Sequence, residues 1–159
     1  MSETYFISDL HLGHKNILKF SNSRAGSTVD EHDEQLIASI SSTVCKRDNL
    51  YILGDVCFDI KKMDMLRRIN CRKVLLLGNH DEFNIGVYLK YFDKVAGLLS
   101  YKGFWLSHAP VHPAELRGKI NIHGHVHSAD IPDERYFNVC VESLDGVPVS
   151  LSSIRGHYE

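Results

Sequence analysis

Five short apolar segments of the chain each lead directly into a side chain that can bind a metal ion or a proton. They cover residues 5–8, 50–53, 74–77, 104–106 and 120–122, and patterns typical of helices separate several of them. This alternation predicts an α/β fold. Because sites in layered α/β folds form beyond the carboxyl ends of the strands, we expect the five ends to share one rim.

The size and composition of the chain predict a single domain over residues 1–159. Hydrophobic residues make up 43% and charged residues 24% of the 159 residues, which suits a folded chain with its own core. Eighteen Lys and Arg against twenty Asp and Glu give a net charge of -2. This balance argues against a protein that mainly binds a nucleic-acid polymer or an anionic membrane.

Other features of the whole chain predict a cytoplasmic protein without membrane association. The longest apolar stretches, such as residues 74–77, are far shorter than the ~18 residues of a membrane span. The start of the chain lacks the pattern of a secretion signal. The four cysteines form no Cys-x-x-Cys pair, so we expect reduced thiols. The sequence leaves the oligomeric state open.

Sequence patterns also predict where helices and further strands lie. Thr28 and Glu31 form a capping box, and apolar residues then recur at helical spacing as far as Val44. Two more helices are predicted over residues 60–69 and 84–91. Further strands are predicted over residues 95–100 and 104–107 as a hairpin, and over 120–123, 137–142 and 147–151.

The donor side chains at the five strand ends offer only oxygen and nitrogen ligands. A set of carboxylates, an amide and imidazoles without thiolate suits Mn, Fe, Zn, Co or Ni. Seven donors are too many for one four-ligand site and suit two metals that share a bridging carboxylate. Two metals ~3.5–4 Å apart can clamp a phosphoryl group and lower the pKa of a bound water toward about 7. The donors are Asp9, His11, Asp55, Asn79, His108, His125 and His127.

The order and spacing of these donors resemble the calcineurin-like metallophosphoesterases. The pattern of that family is Asp-x-His, Gly-Asp, Gly-Asn-His-Asp/Glu, a lone His and Gly-His-x-His, and all five blocks occur in order within residues 5–127. The start and the tail of the chain also resemble a compact bacterial and phage branch of the family. The blocks are Asp9-Leu10-His11, Gly54-Asp55, Gly78-Asn79-His80-Asp81, His108 and Gly124-His125-Val126-His127.

The resemblance implies a fold, a ligand set and catalytic residues. The implied fold is a sandwich of two mixed β-sheets flanked by helices. His80 is implied to donate a proton to the leaving oxygen, and Asp81 to orient His80 and keep it protonated. The implied cofactors are two divalent transition-metal ions, with manganese preferred over iron, nickel, cobalt or zinc. One ion would be held by Asp9, His11, Asp55 and His127, and the other by Asp55, Asn79, His108 and His125.

These features together predict a dinuclear metal-dependent phosphoesterase that hydrolyses a P–O bond with metal-bound hydroxide. We favour a phosphodiesterase for a small nucleotide-like substrate, because few residues remain for a domain that would bind a large one. The segment after Asp55 lacks the arginine of phosphoprotein phosphatases, which argues against that class. The alternatives are a metal-dependent nuclease, a phosphomonoesterase, and a scaffold that retains the fold for protein contacts. Such a scaffold would have lost ligands that this chain keeps.

Several polar residues outside these blocks have open roles. His14 could lie over the metal site, His112 could contact the substrate, and His123 could support the ligands or belong to the core. Arg24 could meet a substrate phosphate. We expect His32 to be a solvated surface residue.

Overall fold

The computed structural model describes residues 1–159, and nine strands form two mixed sheets. The strands are β1 (Thr4–Ile7), β2 (Asn49–Ile52), β3 (Arg72–Leu76), β4 (Lys94–Ala96), β5 (Leu98–Tyr101), β6 (Phe104–Ser107), β7 (Ile120–His123), β8 (Tyr136–Asn138) and β9 (Val149–Ser150). The first sheet has the order β4-β3-β2-β1-β9, with β9 antiparallel to β1. The second has the order β5-β6-β7-β8, with β5 antiparallel to β6.

Helices flank the two sheets, so the predicted α/β class is confirmed. None of them combines the length and the apolar composition that crossing a membrane requires. The α-helices are α1 (Ile17–Phe20), α2 (Val29–Thr43), α3 (Ile85–Tyr88) and α4 (Leu151–Tyr158), and 3-10 helices cover Ile60–Arg68, Pro113–Glu115 and Val141–Leu144.

Alternation along the central strands divides the apolar interior into two layers, because successive side chains point to opposite faces of a sheet. Phe6 and Tyr51 lie in a buried cluster with Leu106 of the second sheet. Ile7 instead joins a cluster that contains Ile37 of α2. The two sheets therefore pack against each other, and α2 covers the other face of the first sheet.

Helix predictions were confirmed in part. The Thr28 hydroxyl accepts the Glu31 N–H (3.2 Å), as expected for a capping box. The segment predicted as a helix over residues 60–69 is a 3-10 helix rather than an α-helix. Its buried residues Met63 and Leu66 are three positions apart, which is the period of a 3-10 helix. The helix predicted over residues 84–91 is only the four-residue α3.

Three predicted strands are shorter than expected for local reasons. The strand predicted over residues 137–142 ends at Asn138, whose side chain accepts the Cys140 N–H (2.9 Å), and a 3-10 helix begins at Val141. The segment 95–100 is divided at Gly97: β4 pairs with β3 in the first sheet, whereas β5 pairs with β6 in the second. The chain therefore leaves the first sheet and enters the second at Gly97. The strand predicted over residues 147–151 ends early because the Ser150 hydroxyl accepts the Ser153 N–H (3.1 Å) and caps α4, a helix that the sequence analysis missed.

Candidate metal centre

The carboxyl ends of five strands meet at one rim, where the two sheets adjoin. Backbone hydrogen bonds hold these ends together: Asp9 N–H donates to Gly54 O (3.0 Å), and Gly124 N–H donates to His108 O (2.8 Å). The structure brings all seven predicted donors to this rim. The first sheet contributes Asp9, His11, Asp55 and Asn79, and the second contributes His108, His125 and His127.

One group of donors consists of Asp9, His11 and His127, whose ligand atoms lie within 4.8 Å of one another. Asp9 Oδ1 is 3.6 Å from His11 Nε2 and 3.8 Å from His127 Nε2. Asp9 Oδ1 and His11 Nε2 are both buried without a hydrogen-bond partner. Burying polar atoms without partners is costly. A cation between them would satisfy both, so this group fits a metal ion.

The second group surrounds His108 Nε2. This atom is 2.9 Å from Asn79 Oδ1, 3.1 Å from His125 Nδ1 and 3.5 Å from Asp55 Oδ2. His108 Nδ1 lies 2.7 Å from the carbonyl oxygen of Leu53, which can only accept a hydrogen bond. In the neutral ring the N–H therefore points to that carbonyl, and Nε2 presents a lone pair to the other donors. Several lone pairs directed at one point also fit a cation.

Asp55 lies between the two groups. Its Oδ2 is 3.7 Å from His11 Nε2 and 3.5 Å from His108 Nε2. Its Oδ1 accepts the backbone N–H of His80 (2.9 Å), which fixes the orientation of the carboxylate. The ligand atoms of Asp9, Asp55 and His108 also lie within 4.8 Å of one another. One oxygen of Asp55 thus faces both groups, which is the position that a bridging ligand requires.

The backbone at this rim is left-handed at five of the seven donors. Such a conformation costs a non-glycine residue of order 1–3 kcal/mol, and clusters of strained residues are found at active sites. The sequence carries no evident sign of this conformation. The five residues are Asp9 (φ 59°), His11 (53°), Asp55 (51°), His125 (72°) and His127 (53°).

Two glycines allow the loops to pass closely behind the carboxylates. A Cβ atom on Gly78 would overlap the carboxylate of Asp55, and one on Gly124 would overlap the side chains of Ser8 and Asp9. Neither position has room for any side chain. The lack of a side chain at these two positions therefore lets the loops pack against the donor carboxylates.

Behind the donors lies a buried ion pair that the sequence analysis missed. Glu142 Oε1 lies 3.0 Å from His127 Nδ1 and accepts the Nε–H of Arg24 (2.8 Å). Arg24 also donates to the carbonyl oxygens of Asp9 (2.6 Å) and Leu10 (3.0 Å). A carboxylate on the second nitrogen of a histidine orients the ring and makes its first nitrogen a better ligand. Arg24 is buried, so the hypothesis that it contacts a substrate phosphate is wrong.

Hydrogen bonds and charges favour ionised carboxylates at this rim, and burial favours a neutral His11, whereas the hydrogen bond with Glu142 raises the pKa of His127. Burial alone would raise the pKa of Glu142, but the hydrogen bond with His127 and the pairing with Arg24 lower it to about 2. The pKa of Asp9 is also below its ordinary value, because the nearby imidazole of His11 and the hydrogen bonds from the Ser8 hydroxyl and the His125 N–H outweigh burial. Burial lowers the pKa of His11. Ionised carboxylates and neutral imidazoles are the forms that bind metals.

The two predicted catalytic residues occupy different surroundings. His80 is exposed, and its ring centroid lies 6.2 Å from that of His11 and 5.1 Å from that of Phe58. Asp81 does not lie against the ring of His80. Its two oxygens accept backbone N–H groups, from Asp55 (2.8 Å) and from neighbours at 2.8 Å and 3.0 Å. Asp81 therefore ties the loops after β2 and β3 together.

The remaining histidines have varied surroundings. His14 packs on Phe58 with ring centroids 4.3 Å apart, and its Nδ1 lies 3.2 Å from that of His11. His112 caps the 3-10 helix Pro113–Glu115. His123 is buried, and burial lowers its pKa. His32, predicted on the surface, is buried because its Nδ1 pairs with the carboxylate of Asp33 (2.9 Å).

Two separate cavities adjoin the donors, one at each donor group. A cavity of about 460 Å³ lies against the first group, and its apolar part is formed by Ile17, Phe20 and Phe58. No lysine or arginine lines it. A second cavity of about 420 Å³ lies against the second group, and Leu77 and Leu98 line it. Both donor groups are therefore accessible from solvent.

Comparisons with known proteins identify relatives along nearly the whole chain. No protein-family model matches it. The chain is 34% identical to the uncharacterized protein MJ1445 of Methanocaldococcus jannaschii, over 97% of this chain and 90% of that one. It is 33% identical to the Gene 66 protein of Mycobacterium phage L5, over 80% of this chain and 79% of that one.

Two solved structures share the fold. AQ665 from Aquifex aeolicus, a protein of unknown function, matches with a TM-score of 0.79 and 25% identity, over 99% of this chain and 100% of that one. The Pseudomonas putida nuclease MPE matches with a TM-score of 0.51 and 23% identity, over 78% of this chain and 61% of that one. The similarity to the nuclease concerns the fold alone.

Proposed function

The chain belongs to the family that includes MJ1445 and the phage Gene 66 proteins, and we propose that it is a calcineurin-like, metal-dependent phosphoesterase. The observation that carries the proposal is the convergence of seven oxygen and nitrogen donors, two of them with buried ligand atoms that lack any hydrogen-bond partner. In a scaffold without a metal these two atoms would stay buried without a partner, which would lower its stability.

The donor groups support two cation sites. The first would use Asp9, His11 and His127, the second Asn79, His108 and His125, and Asp55 would belong to both. The absence of thiolates supports manganese or another of the divalent ions that favour oxygen and imidazole ligands. Cations bound there would supply the charge that polarises a phosphoryl group and lowers the pKa of an attacking water.

His80 is the proposed proton donor to the leaving oxygen. Its exposed ring lines the larger cavity, and its backbone N–H donates to Asp55, so the backbone that carries the ring is fixed relative to the metal donors. General acids of this kind contribute about 10² to 10⁴ in rate. Asp81 acts as a positioning residue, because it binds the backbone N–H of Gly78 and of Asp55 and so holds the loop that carries His80.

The presence of a separate cavity at each donor group supports a diester as the substrate. A diester carries two organic groups, and each of the two donor groups has its own cavity. A monoester would use only one. We therefore propose a phosphodiesterase for small nucleotide-like substrates. The four free cysteines support a reducing compartment such as the cytoplasm.

A metal-dependent nuclease is the second candidate, supported by the name of the structural neighbour from Pseudomonas putida. A nuclease for polymers needs a basic groove that follows the nucleic-acid backbone. The absence of lysine and arginine from the lining of the larger cavity favours a small substrate.

The test is hydrolysis of bis(p-nitrophenyl) phosphate by protein that has been stripped with a chelator and reloaded with one metal. We expect turnover with manganese, less with p-nitrophenyl phosphate, and none with the chelator. Asp55→Asn should lose bound metal by elemental analysis, whereas Asp130→Asn, which changes an exposed carboxylate, should retain it. No turnover with manganese, nickel, cobalt or zinc would support the scaffold alternative.

A second comparison separates chemistry from metal binding. His80→Ala should keep its metals but lose about 10² or more in kcat on substrates with alkyl leaving groups. The exposed His157→Ala serves as the control. Full activity of His80→Ala on those substrates would refute the proton-donor role.

A further inference from the structure

We propose that the ring of Phe20 stacks on a flat aromatic group, such as a nucleobase, on the leaving side of the substrate. This inference rests on the proposed function, because it takes the metal donors as the place where the phosphate binds. It adds a residue that selects the substrate and a chemical class for the part of the substrate that leaves.

Phe20 is an apolar ring that folding leaves in water. It ends the four-residue helix α1, and 75% of its surface is exposed. Phe6, in contrast, is fully buried between the sheets. Single exposed apolar side chains are common, but Phe20 also lines the cavity that adjoins the donors His11 and His127, so its ring is available to a ligand bound there.

Consecutive ring contacts connect Phe20 to the metal donors. The ring of Phe20 lies 5.9 Å from that of His14 at an interplanar angle of 35°, and His14 stacks on Phe58 at 4.3 Å and 15°. Phe58 in turn stacks on the donor His11 at 4.8 Å and 28°. The rings of His14, Phe58 and His11 are therefore stacked, and the ring of Phe20 is tilted against the exposed end of this row. A further flat ring at the exposed end could continue this row.

The cavity beside these rings matches a neutral, flat group. Its volume of about 460 Å³ lies within the usual range for small-ligand sites. No charged Lys, Arg, Asp or Glu lines it, so it suits the uncharged part of a substrate whose phosphate lies at the donors. The proposed proton donor His80 lines the same cavity, so the group that receives the proton also lies there.

The activity test uses three related diesters: thymidylyl-(3′→5′)-thymidine and two analogues that each lack one base. Stacking of a base on an aromatic side chain is worth about 5- to 150-fold in affinity. Phe20→Ala should lower kcat/KM for the dinucleotide by about this factor, but not for the analogue that lacks the leaving base. Phe20→Trp should retain the preference. Val147→Ala, which truncates an exposed side chain elsewhere, is the control.

A binding test needs no activity. In the chelated protein, thymidine should shift the backbone NMR signals of residues 17–20, whereas 2-deoxyribose should not, and Phe20→Ala should abolish the shifts. Equal losses on all three diesters, or unchanged kcat/KM in Phe20→Ala, would overturn the inference while leaving the proposed function intact. Absence of any metal-dependent hydrolysis would refute the proposed function. The NMR test with thymidine would then still show whether Phe20 binds a flat aromatic group.

Discussion

Replacing Glu142 with Gln should destabilise the protein far more than the same change in a surface ion pair. Glu142 is 1% exposed and Arg24 is 0% exposed, so the substitution leaves a buried guanidinium without its counter-charge. Breaking a buried pair in this way costs about 3–5 kcal/mol. Because Gln keeps the shape and can still accept hydrogen bonds, we expect the lower end of this range.

The pKa of Glu142 leads to the same magnitude by another route. Its value falls from the ordinary 4.5 to about 2 in the folded protein. At about 1.4 kcal/mol per pH unit, this difference is worth about 3 kcal/mol to the free energy of unfolding. A carboxyl whose pKa is lowered by folding stabilises fully above its unfolded pKa. The contribution is therefore complete above pH 4.5 and is lost as the pH falls toward 2.

Urea denaturation in the presence of a chelator measures the effect without bound metal. We expect Glu142→Gln to lower the free energy of unfolding by about 3 kcal/mol at pH 7, or the Tm by about 6–12 °C for a chain of this size. The control is Glu34→Gln, which breaks an exposed pair with Arg68 at 2.7 Å and should cost about 0–1 kcal/mol.

Two results would refute the reasoning. One is an equal loss of stability in Glu142→Gln and Glu34→Gln at pH 7. The other is a difference between wild type and Glu142→Gln that stays constant between pH 5 and pH 3.

Three further predictions concern other parts of the fold. Gly124→Ala should lower both stability and metal content, because the new Cβ overlaps Ser8, whereas Gly97→Ala has open space and should be well tolerated. Thermal melts and elemental analysis measure the two effects, and equal behaviour of the two variants would contradict the prediction. A thiol reagent should modify one cysteine, the exposed Cys45, in the native protein and four in denaturant, since burial raises the pKa of the other thiols. Thr28→Ala should cost about 1 kcal/mol in urea denaturation by removing the N-cap of α2, and an unchanged midpoint would show that the cap is not needed.

The parts of the fold that the sequence could predict are those that depend on local patterns. The strand before Asp55 is an apolar run that ends at a glycine and a metal-binding side chain, so the same few residues predict both the strand and the donor. The capping box at Thr28 is equally local. The α/β class and the gathering of donors at one rim follow from such signals, because parallel strands carry their ends to the same edge.

Features that depend on long-range contacts could not be predicted in this way. Arg24 and Glu142 are 118 positions apart, so no local pattern indicates that they pair. Asp81 was expected at the ring of His80, but backbone N–H groups brought close by folding take its oxygens. No local pattern indicates the exposure of Phe20, because exposure is a property of the assembled surface.

The donors come from both sheets, and this has a mechanical consequence. A cation held by Asp9 and His127, or by Asp55 and His108, would cross-link the two sheets at one end of the interface between them. Part of its binding energy would then appear as resistance to separating the sheets. Chelation would remove that cross-link and leave the hydrogen bonds within each sheet intact. Catalysis and part of the resistance to separation of the sheets would therefore be lost together.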